Sequence, residues 1–252
     1  MNMTNPDLRH IPSLRKLWKA AFSDEDAFLD AFFSTGFSPD RCRCILEEDR
    51  PIGALYWFDV FCKGQRFAYL YAVATDPDYR GRGLCRGLME DTASHLALKG
   101  YHGLLLVPQK ESLREMYRKM GYSDCGSISS FTAPAEEQTF SLRHLTPEEY
   151  GIRRRQYLPE DGVLQEGENL TFLATYALFY EGDDFLATFT LEEGKLICHE
   201  LLGNPDAAYG LVSAFGCAEG TFRTPGPDQP FAQLRKLKSD CCTPGYFALA
   251  FD

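Results

Sequence analysis

The chain has little of what would mark it for a membrane, an export route or a metal. In 252 residues no run approaches the ~20 apolar residues that a membrane-crossing helix needs. Residues 1–15 hold no continuous apolar core of signal-peptide type, so the protein is expected to be cytoplasmic. Zinc-type spacing is missing as well. Of nine cysteines, Cys42 and Cys44 flank one residue and Cys241 and Cys242 are adjacent. Neither is a zinc pair, and no histidines stand at a matching distance, so no metal is expected. Cys62, Cys85, Cys125, Cys198 and Cys217 are scattered through apolar surroundings and read as reduced, mostly buried thiols. Basic residues are scarce beyond the midpoint. Residues 1–135 carry 17 basic and 17 acidic side chains, whereas residues 136–252 carry 9 and 19. The net charge of −10 therefore lies in the second half. That argues against a nucleic-acid partner. It fits an acidic wall attracting a cationic substrate, and equally an acidic surface kept for solubility.

What the chain does have is one informative stretch, Ala72 to Met89. An apolar β-type run, Phe67 to Thr75, ends in a turn at Asp76-Pro77-Asp78. A loop with two arginines and two glycines follows, Arg80-Gly81-Arg82-Gly83, and opens into an amphipathic helix at Leu84. The first turn of a helix presents unpaired N–H groups and a dipole that favours negative charge. Gly81 and Gly83 allow the backbone to approach a bound group, and Arg80 and Arg82 supply forked donors for phosphate oxygens. No Gly-Lys-Ser/Thr follows, so this is not a Walker loop. The glycines are not spaced as in the dinucleotide fingerprint either.

The stretch resembles the pyrophosphate loop of the GNAT acetyltransferases, whose pattern is Arg/Gln-x-x-Gly-x-Gly/Ala. Arg80, Gly83 and Cys85 occupy its fixed positions, Cys85 being a small-residue departure in the last. A second segment, Tyr117-Arg118-Lys119-Met120-Gly121-Tyr122, resembles the family's Tyr-x-x-x-Gly-Phe/Tyr. The element order agrees. Helices are expected over Asp7 to Phe22 and Asp24 to Ser34, the second capped by Ser23. Strands follow at Cys42 to Glu47, Ile52 to Cys62 and Arg66 to Thr75. Then come a helix, Leu84 to Leu98, a buried parallel strand, His102 to Val107, and a helix, Glu111 to Met120. Two strands, Tyr122 to Cys125 and Ile128 to Ala133, close the series. The expected class is α/β of the α+β type: a GNAT fold with a mixed, mostly antiparallel sheet flanked by helices.

After a linker near residues 132–138 the pattern starts again. Thr146-Pro147-Glu148-Glu149 is a capping box with proline at the first helical position. A helix is expected over Leu170 to Leu178 and a hairpin over Phe185 to Leu202. Asn204-Pro205-Asp206 then leads into a helix, Ala207 to Cys217. Gly220 to Arg223 and Gly245 to Phe251 read as later strands. Strand, x-Pro-Asp and helix thus echo Leu70 to Asp78, but without the arginines. The expected layout is an acetyltransferase domain over 1–135 and a degenerate GNAT-like domain over 139–252 that has lost its cofactor site.

The resemblance implies acetyl-CoA as co-substrate. Its pantetheine would lie along Val73, Ala74 and Thr75, and its pyrophosphate on Arg80, Gly81, Arg82, Gly83, Leu84 and Cys85. Val73 falls where the family uses a backbone N–H to stabilise the thioester oxyanion. Tyr117 falls where a tyrosine protonates the leaving thiolate; a phenol at ~10 can share a proton with a thiol near ~8.5. Lys110 replaces an asparagine often seen seven residues before that tyrosine. The glutamate that some members place four residues before Val73 is Tyr69 here. The base is therefore open among a water chain to Glu47 or another strand carboxylate, a relay through Tyr69 or Tyr71, and the Asp252 carboxylate. His95, His102 and the run Arg153-Arg154-Arg155 read as structural, the last on a solvated helix face. The expected function is acetyl transfer to a primary amine of a small cationic molecule. The alternatives are a protein lysine or N-terminal acetyltransferase and a non-catalytic acyl-CoA sensor. Oligomeric state is not legible.

Overall fold

Twelve strands form one sheet in the computed structural model, which describes residues 1–251. In chain order the elements begin with β1 (Asn2–Thr4), α1 (Ile11–Phe22), α2 (Asp26–Ala31), β2 (Cys42–Glu47), β3 (Arg50–Cys62) and β4 (Gln65–Thr75). Next come α3 (Leu84–Leu98), β5 (Gly103–Leu106), α4 (Glu111–Arg118), β6 (Ser123–Pro134) and β7 (Arg143–His144). The remainder is α5 (Pro147–Tyr157), α6 (Glu168–Leu173), β8 (Leu178–Glu181), β9 (Phe185–Glu192), β10 (Lys195–Gly203), α7 (Ala207–Ala214), β11 (Glu219–Pro225) and β12 (Gln229–Lys236). The sheet order is β1-β2-β3-β4-β5-β12-β6-β11-β10-β9-β8-β7. Its pairings are antiparallel except β4 with β5 and β10 with β11. This is the expected mixed, mostly antiparallel sheet flanked by helices. Among the described residues no helix is long and apolar enough to cross a membrane.

Two apolar clusters fix the faces of the first half. One side carries α3 and α4, with Ile52, Leu55, Trp57 and Leu70 of the sheet packed among Leu88, Met89 and Leu96. The other side carries α1, α6 and the last residues, with Tyr56, Phe58 and Tyr69 packed against Trp18, Phe172 and Phe247. The alternation along β3 and β4 separates the two sets, as a strand's two-residue period requires.

The same strand device occurs twice. β4 pairs with β5 over only Phe67 to Tyr69, and its register against β3 then shifts where Ala72 and Val73 together oppose Leu55. β10 pairs with β11 over only Leu196 to Cys198, and its register against β9 shifts at His199. Both strands run on through a Pro-Asp turn into a helix.

Several local expectations give way to packing. Ser23 does not cap the second helix. It ends α1 in the left-handed region at φ 64°, and Glu25 precedes α2. Residues Phe32–Gly36 form a π turn after α2. The two expected strands around residue 126 are one, β6, bent at Gly126 with φ 60°. Gly245 to Phe251 is no strand: it runs through the core, its Tyr246 carbonyl accepting from Val163 N–H at 2.9 Å. β12, not expected, inserts between β5 and β6. Arg154 does not lie on a solvated face. It is fully buried and hydrogen-bonds to the buried Glu200.

Candidate active site

β4 and β5 diverge beyond Tyr69, and the divergence leads to the Gly/Arg loop. Pairing with β3 continues to the end of β4, where Gly53 opposes Thr75. The extra residue is accommodated by Ala72 at φ 48°, in the left-handed region that residues with a side chain rarely adopt. Val73 follows at once, half-buried, with its side chain in the cluster that contains Leu84, Cys85 and Tyr117. Tyr71, Ala72 and Ala74 belong to the opposite cluster. The bulge therefore puts Val73 on the α3 side and Tyr71 on the other.

The turn after β4 is built by Asp76. Its N–H donates to the Ile52 carbonyl at 2.9 Å, and its carboxylate accepts from Asp78 N–H at 3.1 Å. A short 3-10 turn, Pro77–Tyr79, follows. Arg80 then donates from Nε to the Thr75 carbonyl at 3.2 Å, and Arg82 from Nη2 to the Asp78 carbonyl at 2.9 Å. Both arginines are exposed, and neither pairs with a carboxylate among the described residues. Gly81 and Gly83 have φ of 76° and 75° with open space around them, so it is their backbone conformation that calls for glycine. Gly83 is the N-cap of α3 and gives the helix no side-chain cap. First-turn N–H groups thus remain available next to two unneutralised guanidinium groups.

Tyr79 was not singled out by its sequence. Its hydroxyl donates to Glu47 in a short hydrogen bond, and the guanidinium groups of Arg82 and Arg50 lie 4.8 and 5.6 Å from its ring centroid. A tyrosine directly after a Pro-Asp turn carried no signal of its own. The Glu47 carboxylate, one of the open base candidates, is thereby engaged in supporting the loop.

Tyr117 lies on α4, 8% exposed, with its ring 5.7 Å from that of Tyr122. Burial, with a smaller contribution from Cys85, pushes its phenol above the ordinary tyrosine range. Gly121 ends this segment at φ 86°. Burial likewise raises the Cys85 thiol. Lys110 is exposed at the N-cap of α4, where its carbonyl accepts from Leu113 and Arg114. Among the base candidates, Tyr69 is buried and its hydroxyl accepts from the Phe251 N–H at 3.2 Å, while Tyr71 is half-buried. Asp252 lies outside the described residues.

These residues fit a pyrophosphate-bearing thioester. The loop offers two guanidinium groups without carboxylate partners among the described residues and an uncapped helix N-terminus, and the divergence of β4 from β5 offers a strand edge. The counterpart in the second half does not fit. There Gln138 Nε2 donates to the Asp206 carbonyl at 3.2 Å, and a Cβ at Gly210 would stand 2.2 Å from the Phe140 ring. The linker thus lies over the start of α7. The cavity beside it, of about 480 Å³, is lined by Asp183 and Asp184, which repel phosphate. A second cavity of about 420 Å³, between α5 and α6, has no lining residue from β4. No group of three or more metal-ligating side chains occurs among the described residues.

Comparison with known proteins agrees with the fold. The family model of the acetyltransferase (GNAT) domain matches residues 6–125. No curated protein matches the sequence. Among solved structures, a GCN5-related N-acetyltransferase from Anabaena variabilis is similar with a TM-score of 0.73 at 17% identity, covering 94% of this chain and 73% of that one. A probable N-acyltransferase from Enterococcus faecalis has a TM-score of 0.70 at 15% identity, covering 94% and 72%. An acetyltransferase from Pyrococcus horikoshii, described as putative, has a TM-score of 0.64 at 12% identity, covering 98% and 93%. At these identities the likeness is one of fold, and it extends through the second half.

Proposed function

We propose, from the match of residues 6–125 to the acetyltransferase (GNAT) domain and from the site described above, that the protein transfers an acetyl group from acetyl-CoA to the primary amine of a small cationic molecule. One observation carries this reading. β4 parts from β5 at Tyr69 and runs into a loop at the uncapped N-terminus of α3, where Arg80 and Arg82 have no carboxylate partner among the described residues.

The co-substrate supplies a thioester acyl donor carried on a pyrophosphate handle. Arg80, Arg82 and the first-turn N–H groups of α3 would hold the phosphates by charge-assisted hydrogen bonds. Their backbone donors are fixed before binding, so little ordering is required when the ligand arrives. The open edge of β4 from Leu70 to Thr75 would take the pantetheine arm as an added strand does. At the bulge, the Val73 N–H would donate to the carbonyl oxygen as negative charge gathers there. Tyr117, kept protonated by burial, would return a proton to the departing sulfur.

A small acceptor is favoured over a protein chain by what stands on the other face of β4. Phe172 of α6 and Phe251 near the chain end pack there against Phe58 and Tyr71. That cover restricts entry of a folded partner. The nine cysteines, all free thiols, support a reducing compartment, and we place the reaction in the cytoplasm.

The test is mass-spectrometric, because thiol dyes would report the protein's own cysteines. The protein is incubated with acetyl-CoA and a panel of polyamines, aminoglycosides, amino acids, arylalkylamines and lysine peptides. A gain of one acetyl group on a small amine is expected. Acetylated peptides alone would replace the small acceptor with a protein one. Coenzyme A binding without any product would favour a sensor.

A further inference from the structure

The face of β4 that looks away from α3 is packed with aromatic rings. Tyr71 stands one residue before the bulge and is half-buried. Its ring centroid lies 5.4 Å from Phe251, 5.6 Å from Trp18, 5.9 Å from Phe32 and 6.2 Å from both Phe58 and Phe172. These rings come from α1, the π turn, β3, α6 and the last residues, so separate parts of the chain converge on one wall. The wall continues outward to Phe33, also half-buried, whose centroid is 5.2 Å from Phe32. Two cations at the rim are paired with carboxylates, and Arg15 also lies over the Phe33 ring, 5.8 Å from its centroid. Arg15 pairs with Asp30 at 2.8 Å and Lys19 with Asp26 at 2.7 Å, while Asp24 accepts from the Trp18 indole at 2.7 Å.

Resting on the acetyltransferase reading of this site, we infer that the acceptor is an amine carried on an aromatic or bulky apolar substituent, which packs on Tyr71 and Phe33. The phosphate loop and α3 would hold the donor's phosphates on one side of β4, and the free edge of β4 its pantetheine arm. The nitrogen would then approach the Val73 bulge from the other face, where Tyr71 is half-buried and the rings around it are buried. Aromatic faces attract an ammonium ion as it arrives and then bury the apolar group behind it. The amine first loses a proton to become neutral. Its lone pair then attacks the thioester carbonyl, the C–N bond forms, the C–S bond breaks, the nitrogen releases its second proton and the thiolate takes one up. A polyamine would bring further charges to a wall of rings, where each loses hydration.

The test compares kcat/KM for phenethylamine, propylamine, spermidine and a lysine peptide with acetyl-CoA held constant. Burying a substituent in an apolar pocket is worth roughly 10- to 200-fold, so phenethylamine should exceed propylamine and spermidine by at least about ten-fold. Tyr71→Ala should erase that ratio while leaving the Kd for coenzyme A unchanged, and Tyr71→Phe should keep it. Phe33→Ala, at the rim, gives a second reading should Tyr71→Ala fold poorly, and should lower the ratio too. Efficient transfer to spermidine or the peptide, with no advantage for the aryl group, would overturn the acceptor class and leave the acetyltransferase standing. A ratio unmoved in both alanine variants would overturn the acceptor class in the same way. Coenzyme A binding with no transfer to any amine would overturn both.

Discussion

Arg154 and Glu200, neither with any exposed side-chain surface, meet between α5 and β10 with guanidinium-to-carboxylate hydrogen bonds of 2.6 and 2.9 Å. Tyr150 and Tyr246 donate to the same carboxylate at 2.8 and 3.0 Å, and the Val163 carbonyl takes another guanidinium N–H at 2.9 Å. Burial alone would lower the arginine's pKa, but the charge and hydrogen bonds of Glu200 hold it above its ordinary value. The network fastens Tyr246, and with it the segment leading to Phe247 and Phe251 on the acceptor face. Glu200→Gln leaves a buried guanidinium without its counter-charge and should destabilise the fold by about 3–5 kcal/mol. Urea denaturation checks it. Arg154→Met with Glu200→Leu removes both charges and should cost less.

Tyr117→Phe should lower kcat while leaving acetyl-CoA affinity close to that of the parent. Because burial raises the phenol, it stays protonated through the usual assay range. The rate should therefore climb with pH as the amine acceptor deprotonates, with no falling limb from Tyr117 below pH ~10. Initial rates from pH 7 to 9.5, for both proteins, test the assignment.

Stability should fall on the alkaline side. Burial raises the phenols of Tyr56, Tyr150 and Tyr246 well above the ordinary value, with Glu200 adding to the shift of the last two. The folded state thus holds protons that an unfolded tyrosine releases near ~10. Their contribution is intact below that pH and is lost as pH rises toward the folded values. Urea midpoints should show a steep drop only above pH ~10.

Thiol labelling should be selective. Burial pushes Cys44, Cys62 and Cys125 up to about 12, and Cys42 well above its ordinary value. Only the thiolate reacts, so iodoacetamide at pH 8 should leave these four unmodified in the native protein and label all nine in urea. Peptide mapping reads the result.

Much of this fold is written in local signals. The Asp-Pro turn, Gly83 at the start of α3, Gly121 after α4 and the Thr146 capping box each act within a few residues, and each stands where its sequence points. What stayed hidden depends on distant partners. β12 contains Pro230, Gln233, Arg235 and Lys236, a weak strand former until β5 and β6 pair with it on both sides. Gly245 to Phe251 has strand composition but is pinned by side-chain and backbone bonds from Gln165 and Ser127. Arg154 could be recognised as buried only with Glu200 in view, 46 residues away. At the site, the loop motif was legible because its chemistry is contiguous. The ring wall around Tyr71 was not, since it gathers Trp18, Phe58, Phe172 and Phe251 from across the chain.

The measurement that bears most directly on the account is calorimetric titration of acetyl-CoA into the parent and into the Arg80→Ala, Arg82→Ala double variant, with single-turnover acetyl transfer followed in the same samples. Removing both guanidinium groups, and with them the proposed hydrogen bonds to phosphate at this exposed loop, should weaken binding by at least about ten-fold. The effect should shrink at high salt, and a pantetheine thioester lacking the phosphates should bind both proteins alike. Transfer should recover when acetyl-CoA saturates the variant. Equal affinity of the two proteins for acetyl-CoA would contradict the placement of the phosphates on the Arg80–Gly83 loop, and with it the proposed site.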